Sequence, residues 1–478
     1  MDSVSKLSNV EVKIDVIETP QSINPEAEKK LVHKFDWRLM PIFCVAFFFS
    51  SLDRSNIGNA KVAGMDAALN ITNAQFSTVV SVVYATYLPI MLPGVWLMKQ
   101  FAKPKYYLFT CMFCWSVCSL CTMFATGYGS LIAIRLLIGL FEGSFFTSMA
   151  VITSDYYFPH EIGRRTSYFF VSSSMSSAFG GLIATGISKI TTGNLESWQY
   201  IFLIEGILSV LGAIWLFIAL PDNPHQLLKN EEEIEVYEDR EKRRAFFTDT
   251  SPFDIKEVWA AAKDYKTQFS VVMQFTQDVC MYGFSTFLPS ILKSGLGYDA
   301  LEAQYLSVPV YLLAGLIVFL ASEISDRKRI RGPVIFFTNC FGITGYILLL
   351  AVKNSAVKYF ACYLISFSIF TGTCLNEAWV SSNTAGRYKR YTAIGLNQTL
   401  GNVAGAISPQ VYRSPPAYTL GHAFTLGCLV VSSTCAATCS MLLHRRNLHN
   451  QKVEETGIDD RGRKRVIGDD APEFRFII

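Results

Sequence analysis

Charge is scarce in this sequence. Asp, Glu, Lys and Arg make up 17% of the 478 residues, where a soluble protein carries about a quarter. What charge there is falls in short bursts between long apolar runs, a distribution that argues against a soluble chain. Histidine is rarer still, six in all. No His-rich metal set, nucleophile elbow or phosphate loop occurs, so neither an enzyme nor a cofactor or metal site is expected. Net charge is only +3 and no basic patch alternates with aromatics, which removes nucleic acid as a partner. A cleavable signal is missing from the polar residues 1–36. The first apolar run, from Leu39, is long enough to act as its own anchor.

What is present is apolar. Hydrophobic residues reach 51%, aromatics 14%, and there are 36 Phe. Nearly all of the twelve Cys lie inside apolar runs. Cys111, Cys114, Cys118 and Cys121 repeat at helical spacing with no His or acid among them, as small apolar packing residues do.

A membrane-spanning helix needs about 20 residues. Candidate spans fall near 39–58, 76–97, 106–126, 130–152, 168–188, 198–219, 268–290, 304–324, 333–352, 358–380, 393–410 and 421–443. The fold class is therefore an all-α integral membrane protein, with twelve transmembrane helices in two pseudo-symmetric halves of six. Residues 1–37 and 445–478 are read as cytoplasmic tails, 38–220 and 267–444 as the halves, and 221–266 as a cytoplasmic linker. Lys and Arg in the short loops set the orientation. With the N-terminus inside, the inside segments hold Lys29, Lys30, Lys34 and Arg38; Lys99, Lys103 and Lys105; Arg164 and Arg165; Arg327 to Arg331; Arg387, Lys389 and Arg390; Arg445 and Arg446. The outside loops hold only Lys61, Lys189, Lys293, Lys353, Lys358 and Arg413. Asn70-Ile71-Thr72, a glycosylation sequon, falls in an outside loop, whereas Asn397-Gln398-Thr399 falls inside a span.

An ionisable group inside a span is costly and marks a functional hypothesis. Few occur: Asp53 and Arg54 in span 1, Arg135 and Glu142 in span 4, Glu205 in span 6, Asp278 in span 7 and Glu377 in span 10. Arg135, Gly139 and Glu142 share one helix face. Asp53 and Arg54 point about 100° apart and cannot do the same job. Arg54 keeps its charge when buried and its planar fork matches a carboxylate, which makes it the candidate for an anionic substrate. Glu142 and Asp53 are candidate proton carriers, since a carboxyl group in an apolar interior can exchange a proton. The alternative is that the same four residues form a structural ion-pair network between spans 1 and 4. Glu205 is read as structural, pairing with a loop Arg. Gln274, Gln277, Asp278, Tyr282, Asn376, Asn397, Gln398 and Asn402 give the second half polarity rather than charge, and each is read as helix–helix glue first.

The string Leu52-Asp53-Arg54-Ser55-Asn56-Ile57-Gly58-Asn59-Ala60-Lys61 resembles the first-helix signature of the fungal allantoate permease family, anion:cation symporters of the major facilitator superfamily. Arg135–Gly143, Trp198-Gln199-Tyr200-Ile201-Phe202, Leu220-Pro221-Asp222-Asn223-Pro224 and the tail Pro472-Glu473-Phe474-Arg475-Phe476 also match. Ser177–Gly206 and Leu306–Tyr311 look most like the nicotinic acid permeases of yeasts. The resemblance implies a major facilitator fold working as a monomer in the plasma membrane. It also implies proton-coupled uptake of a small organic anion, nicotinate first, with allantoate, pantothenate, biotin or a small dipeptide as alternatives. By the same resemblance Asp53 and Glu142 carry protons and Arg54, with Arg135, binds the substrate carboxylate. Tyr84, Tyr87, Tyr282 and Asn376 are expected to shape the pocket. Lys99, Asp326 and Arg327 stand in the gating loops, where the family pattern is altered: Met98 replaces an Asp and Ser322 a Gly. Span 5 lacks the Gly-Pro of antiporters, which favours symport. A non-transporting nutrient receptor on the same fold would need a long signalling extension, for which the linker and tails leave little room.

Overall fold

A computed structural model of the chain describes residues 24–101, 103–158, 161–188, 195–245, 255–412 and 418–456, together with 469, 471 and 474–478. Lys189, Arg413, Pro472 and Glu473, named above, lie outside the described residues. The elements in order are α1 (Pro25–Val62), α2 (Met65–Ala68), α3 (Asn73–Gln100), α4 (Pro104–Cys121), α5 (Tyr128–Glu142), α6 (Phe145–Tyr156), α7 (Ile162–Ser188) and α8 (Ser197–Ala219). Then follow α9 (Glu231–Ala245), α10 (Ile255–Lys263), α11 (Tyr265–Ser290), α12 (Ala300–Lys328), α13 (Gly332–Ala351), α14 (Ser355–Ser382), α15 (Arg387–Val411) and α16 (Thr419–Thr456). With α5 and α6 taken as one broken rod, the long helices fall where the sequence places its spans.

Nine of these rods, among the described residues, are long and apolar enough to cross a membrane. The three long helices outside that set are α7, α11 and α15. Their composition is diluted by polar residues that face inward: Ser174 and Ser176 on α7, Gln274, Gln277 and Asp278 on α11, and Asn397 and Asn402 on α15 are all buried. A helix lined by protein on its polar side can sit at membrane depth without an apolar circumference.

Local chemistry sets the ends. Thr72 and Gln75 form a reciprocal capping box that starts α3. Asn24 caps α1 and Pro25 takes its first position. Between α5 and α3 the spacing is set by Gly139 and Gly143, because a Cβ at either would run into the α3 carbonyl oxygens of Val83 or Tyr87.

The polar segments are more ordered than a reading as tails implies. Helix α1 begins at Pro25, well inside the expected tail. Phe35 explains this, packing edge-on between Tyr156 and the linker's Tyr237 at 5.7 and 6.1 Å. Lys34 pairs with Glu233 of α9 at 2.8 Å, and Arg240 joins Glu28 at 2.7 Å and also Glu161. At the other end α16 runs on to Thr456. Residues 474–478 return as a strap: Ile477 accepts from Trp379 Nε1 and Asn383 Nδ2, both at 2.7 Å, and its N–H donates to Asn383 Oδ1 at 2.8 Å. Phe476 exchanges two bonds of 2.9 Å with Asn447. Asp469 pairs with Lys266 and Lys389 at 2.6 and 2.8 Å. All these contacts lie on the side that carries the linker.

The first six rods meet the last six along α7 against α12 and α3 against α15. At the linker end this seam is latched. Asp326 accepts the backbone N–H of Arg164 at 2.7 Å, and Tyr168 stacks on Phe319 at 6.1 Å. Asp155 of α6 pairs with Lys99, accepts from Tyr391 at 2.5 Å and lies 3.9 Å from Arg390.

Candidate functional site

Midway along α1, Ser50 and Arg54 lie one turn apart on the face toward α5, and Asp53 points away from them. Arg54 Nε lies 3.0 Å from Glu142 Oε1. Ser50 Oγ donates to the same oxygen at 2.6 Å, and Arg54 Nη2 donates to Ser50 Oγ at 2.9 Å. Glu142 is 1% exposed, while the Arg54 side chain keeps 24%. The carboxylate is thus sealed and the guanidinium still has a free edge. The guanidinium carbon Cζ lies 5.9 Å from the ring centre of Tyr87. Tyr84 packs edge-on against Tyr87 at 5.8 Å and against Tyr282 at 6.1 Å, so the aromatic cluster crosses from α3 to α11. Gly405 makes room for the Tyr84 ring, since a Cβ there would overlap it. Tyr282 donates to Asn402 at 2.5 Å.

Asp53 faces α4. It accepts from Trp115 Nε1 and Ser119 Oγ, each at 3.0 Å, and is 4% exposed. Its donors are neutral. Arg135 is equally buried and its Nε has no hydrogen-bond partner among the described residues. It makes no ion pair within 4 Å among the described residues, so the one direct pair of the four is Arg54–Glu142, while the Arg135 charge bears on Asp53 and Glu142 from farther off.

Other expectations need correction. Asn376 has no contact with the aromatic rings among the described residues: its side chain is tied to Ser270 at 2.9 Å and to Gln274 at 2.8 Å, and Gln274 in turn bonds Asp278. Arg327 reaches the gate only at one remove: it is 77% exposed and bonds Glu323 on its own helix at 2.8 Å, and Glu323 lies 3.7 Å from Arg164 of α7 across the seam. Lys99 and Asp326 do stand at the latched seam. Glu205 finds no loop Arg among the described residues: it is fully buried, its carboxylate oxygens make no hydrogen bond there within 3.5 Å, and the neighbouring polar side chain is Asn56. Sequence reasoning missed Ser50, Trp115, Ser119 and Asp155. Asp155 was visible as an acid just past the end of span 4, on the side of Lys99. In place of the Asp that the family loop has at Met98, it supplies the partner of Lys99. Nearby, hydrogen bonds from Lys103 and Lys105 hold the Asp222 carboxyl well below the usual carboxylate range.

A bundle of apolar rods around a buried, charged and aromatic centre, with a seam between two sets of six, defines a multi-pass membrane transporter rather than an enzyme. The family model of the Major Facilitator Superfamily matches residues 43–409, and the chain belongs to that superfamily. An uncharacterized transporter of Schizosaccharomyces pombe is 43% identical over 99% of this chain and 98% of its own. The high-affinity nicotinic acid transporter of Saccharomyces cerevisiae is 32% identical over 94% of this chain and 85% of its own. Among solved structures, the proton:xylose symporter XylE aligns with a TM-score of 0.67 at 12% identity, covering 86% of this chain and 96% of that one.

Proposed function

We propose that the protein imports a small organic anion, nicotinate first, together with protons across the plasma membrane. The observation that carries this reading is the Arg54–Glu142 pair, one half sealed and the other half reaching an aromatic-lined centre. One guanidinium cannot fully serve two carboxylates. A substrate carboxylate that takes Arg54 leaves Glu142 buried without its cation, and a bare buried carboxylate is unstable. A proton on Glu142 removes that conflict. Anion and proton therefore bind together more favourably than either alone, which is the thermodynamic basis of symport. Asp53, held only by neutral donors, is the second proton carrier. Arg135 adds positive potential from α5, and Tyr84, Tyr87 and Tyr282 stack on a flat aromatic acid.

Transport then proceeds by rocking of residues 38–220 against 267–444. All twelve rods cross the bilayer, both termini are cytoplasmic, the linker end is the cytoplasmic gate, and a single copy suffices. The nicotinic acid transporter named above supports nicotinate, and the loop Lys and Arg support the orientation.

The test is labelled nicotinate uptake in cells lacking their own permease, at acidic and neutral pH, with and without a protonophore. Saturable uptake that is faster in acid and lost with protonophore is expected. Absence of uptake by protein shown at the surface would remove nicotinate; pH-independent uptake would remove proton coupling.

A further inference from the structure

The second half contains an acid pair that the reading above leaves unused: Asp278 on α11 and Glu377 on α14, each 2% exposed. Gln398 Nε2 and Asn397 Nδ2 (3.0 Å) both donate to Glu377 Oε2, and Glu377 Oε1 is buried with no hydrogen-bond partner among the described residues. The Asp278 oxygens share one amide group, Gln274 Nε2, at 3.1 and 3.2 Å, with the neutral hydroxyl of Thr373 beside them.

This pattern does not suit an ionised carboxylate. A carboxylate spreads its charge over both oxygens, and a buried one needs a cation or donors on each. At Glu377 two amides converge on one oxygen and leave the other bare. That is the asymmetry of a neutral acid, with a carbonyl at Oε2 and a hydroxyl at Oε1. The charged groups around the pair offer no relief. Each acid is a like charge to the other, and the cation bearing on Asp278 is Arg54, already engaged by Glu142. From α15 the pair faces amides and Gly401; Asp278 also faces the phenols of Tyr84, Tyr87 and Tyr282 and the thiol of Cys280, and Glu377 the thiol of Cys374. Glu323 and Asp326 of α12 are tied to Arg327 and Arg331 at the linker end. Arg165 of α7 is tied to Asp36, and His422 of α16 packs among the rings of Tyr346, Tyr412 and Tyr418.

The pair is also wired to the proposed substrate centre. Glu377 meets Gln398, Gln398 Oε1 accepts from Asn402 at 3.2 Å, and Asn402 accepts from Tyr282 at 2.5 Å. At its other end Glu377 lies near the linker-side terminus of α14, beside the latched seam.

We propose that Asp278 and Glu377 form a second proton-binding site, in the half that lacks the Arg54–Glu142 pair. The ligand is a proton, held as carboxylic acid while the linker end is closed. When that end opens and water reaches α14 and α15, the acid O–H bond breaks, the proton leaves to water, and the carboxylate is stabilised by hydration. This rests on the proton-coupled reading above.

The test has a substrate-free arm, so that its failure and that of the nicotinate reading are distinguishable. In infrared difference spectra of the purified protein between neutral and strongly alkaline pH, the carbonyl stretch of a protonated carboxyl should appear and titrate. Glu377→Gln and Asp278→Asn should each remove part of it; loss in one variant alone assigns the proton to that residue. Spectra unchanged in both variants overturn the proposal. In the transport arm, Glu377→Gln should keep exchange of internal for external substrate yet lose accumulation driven by a pH gradient, and Glu377→Asp should restore it. Wild-type accumulation by Glu377→Gln would show the acid to be packing only. Should that variant fail to fold, the infrared result for Asp278→Asn decides.

Discussion

Arg54 has two carboxyl groups to answer to, Glu142 on the protein and one on the substrate. Lysine keeps the charge but not the fork. Arg54→Lys should therefore weaken uptake about tenfold, about 1.4 kcal/mol in apparent affinity, at unchanged surface level. Arg54→Ala should abolish uptake, and normal uptake by that variant at the surface would sink the assignment. Tyr282→Phe removes only the bond to Asn402 and should raise KM by about fivefold, worth about 1 kcal/mol; an unchanged KM would place the ring outside the site. The separate duties of Asp53 and Arg54 were legible in the sequence, because adjacent helix positions diverge by about 100°. Their partners were not. Periodicity shows which face a residue occupies but not which helix covers it. Hence the sequence does not disclose Ser50, Trp115 and Ser119 as partners, nor that Ser270 and Gln274 hold the side chain of Asn376.

The helices obey the same logic on a larger scale. Gly139 permits α5 to touch the α3 backbone, and no small shift accommodates a larger side chain against a carbonyl. Gly139→Val should cost roughly 1–3 kcal/mol and lower the melting temperature in detergent. A variant as stable as the wild type would mean the two helices can part freely. The linker is joined to the start of α4 by Asp222 with Lys103 and Lys105. Its carboxyl is held below the ordinary carboxylate value, so this tie is present above that value and is lost as pH falls toward the lowered one. Asp222→Asn should therefore destabilise at neutral pH and make no difference in strong acid; a pH-independent deficit would contradict this. Span positions were legible because apolar runs of about 20 residues have few other uses. The ordered extension of α1 and the strap at 474–478 were not, since both depend on contacts distant in sequence, such as Phe35 with Tyr237 and Trp379 with Ile477.

In the whole molecule, the two sets of six rods are latched at one end and share a charged and aromatic centre. The latch runs through Asp155, which reaches Lys99 within its own half and Tyr391 across the seam. Asp155→Asn weakens both contacts and should speed hydrogen exchange at the end of α6 and the first turn of α15; unchanged exchange would make the contact incidental. The superfamily was legible from the first-helix string and the alternating loop charge. The altered gating loop was legible as well, though not its remedy, because the acid that meets Lys99 comes from another helix. The central claim is that substrate and proton meet at the Arg54–Glu142 pair. The most direct measurement is proton uptake by the purified protein, in weak buffer with a pH indicator, when nicotinate is added near neutral pH. The expected result is net uptake of protons on binding, reduced in Glu142→Gln although that variant still binds nicotinate. Binding without proton uptake in the wild type, or equal uptake in Glu142→Gln, would contradict it.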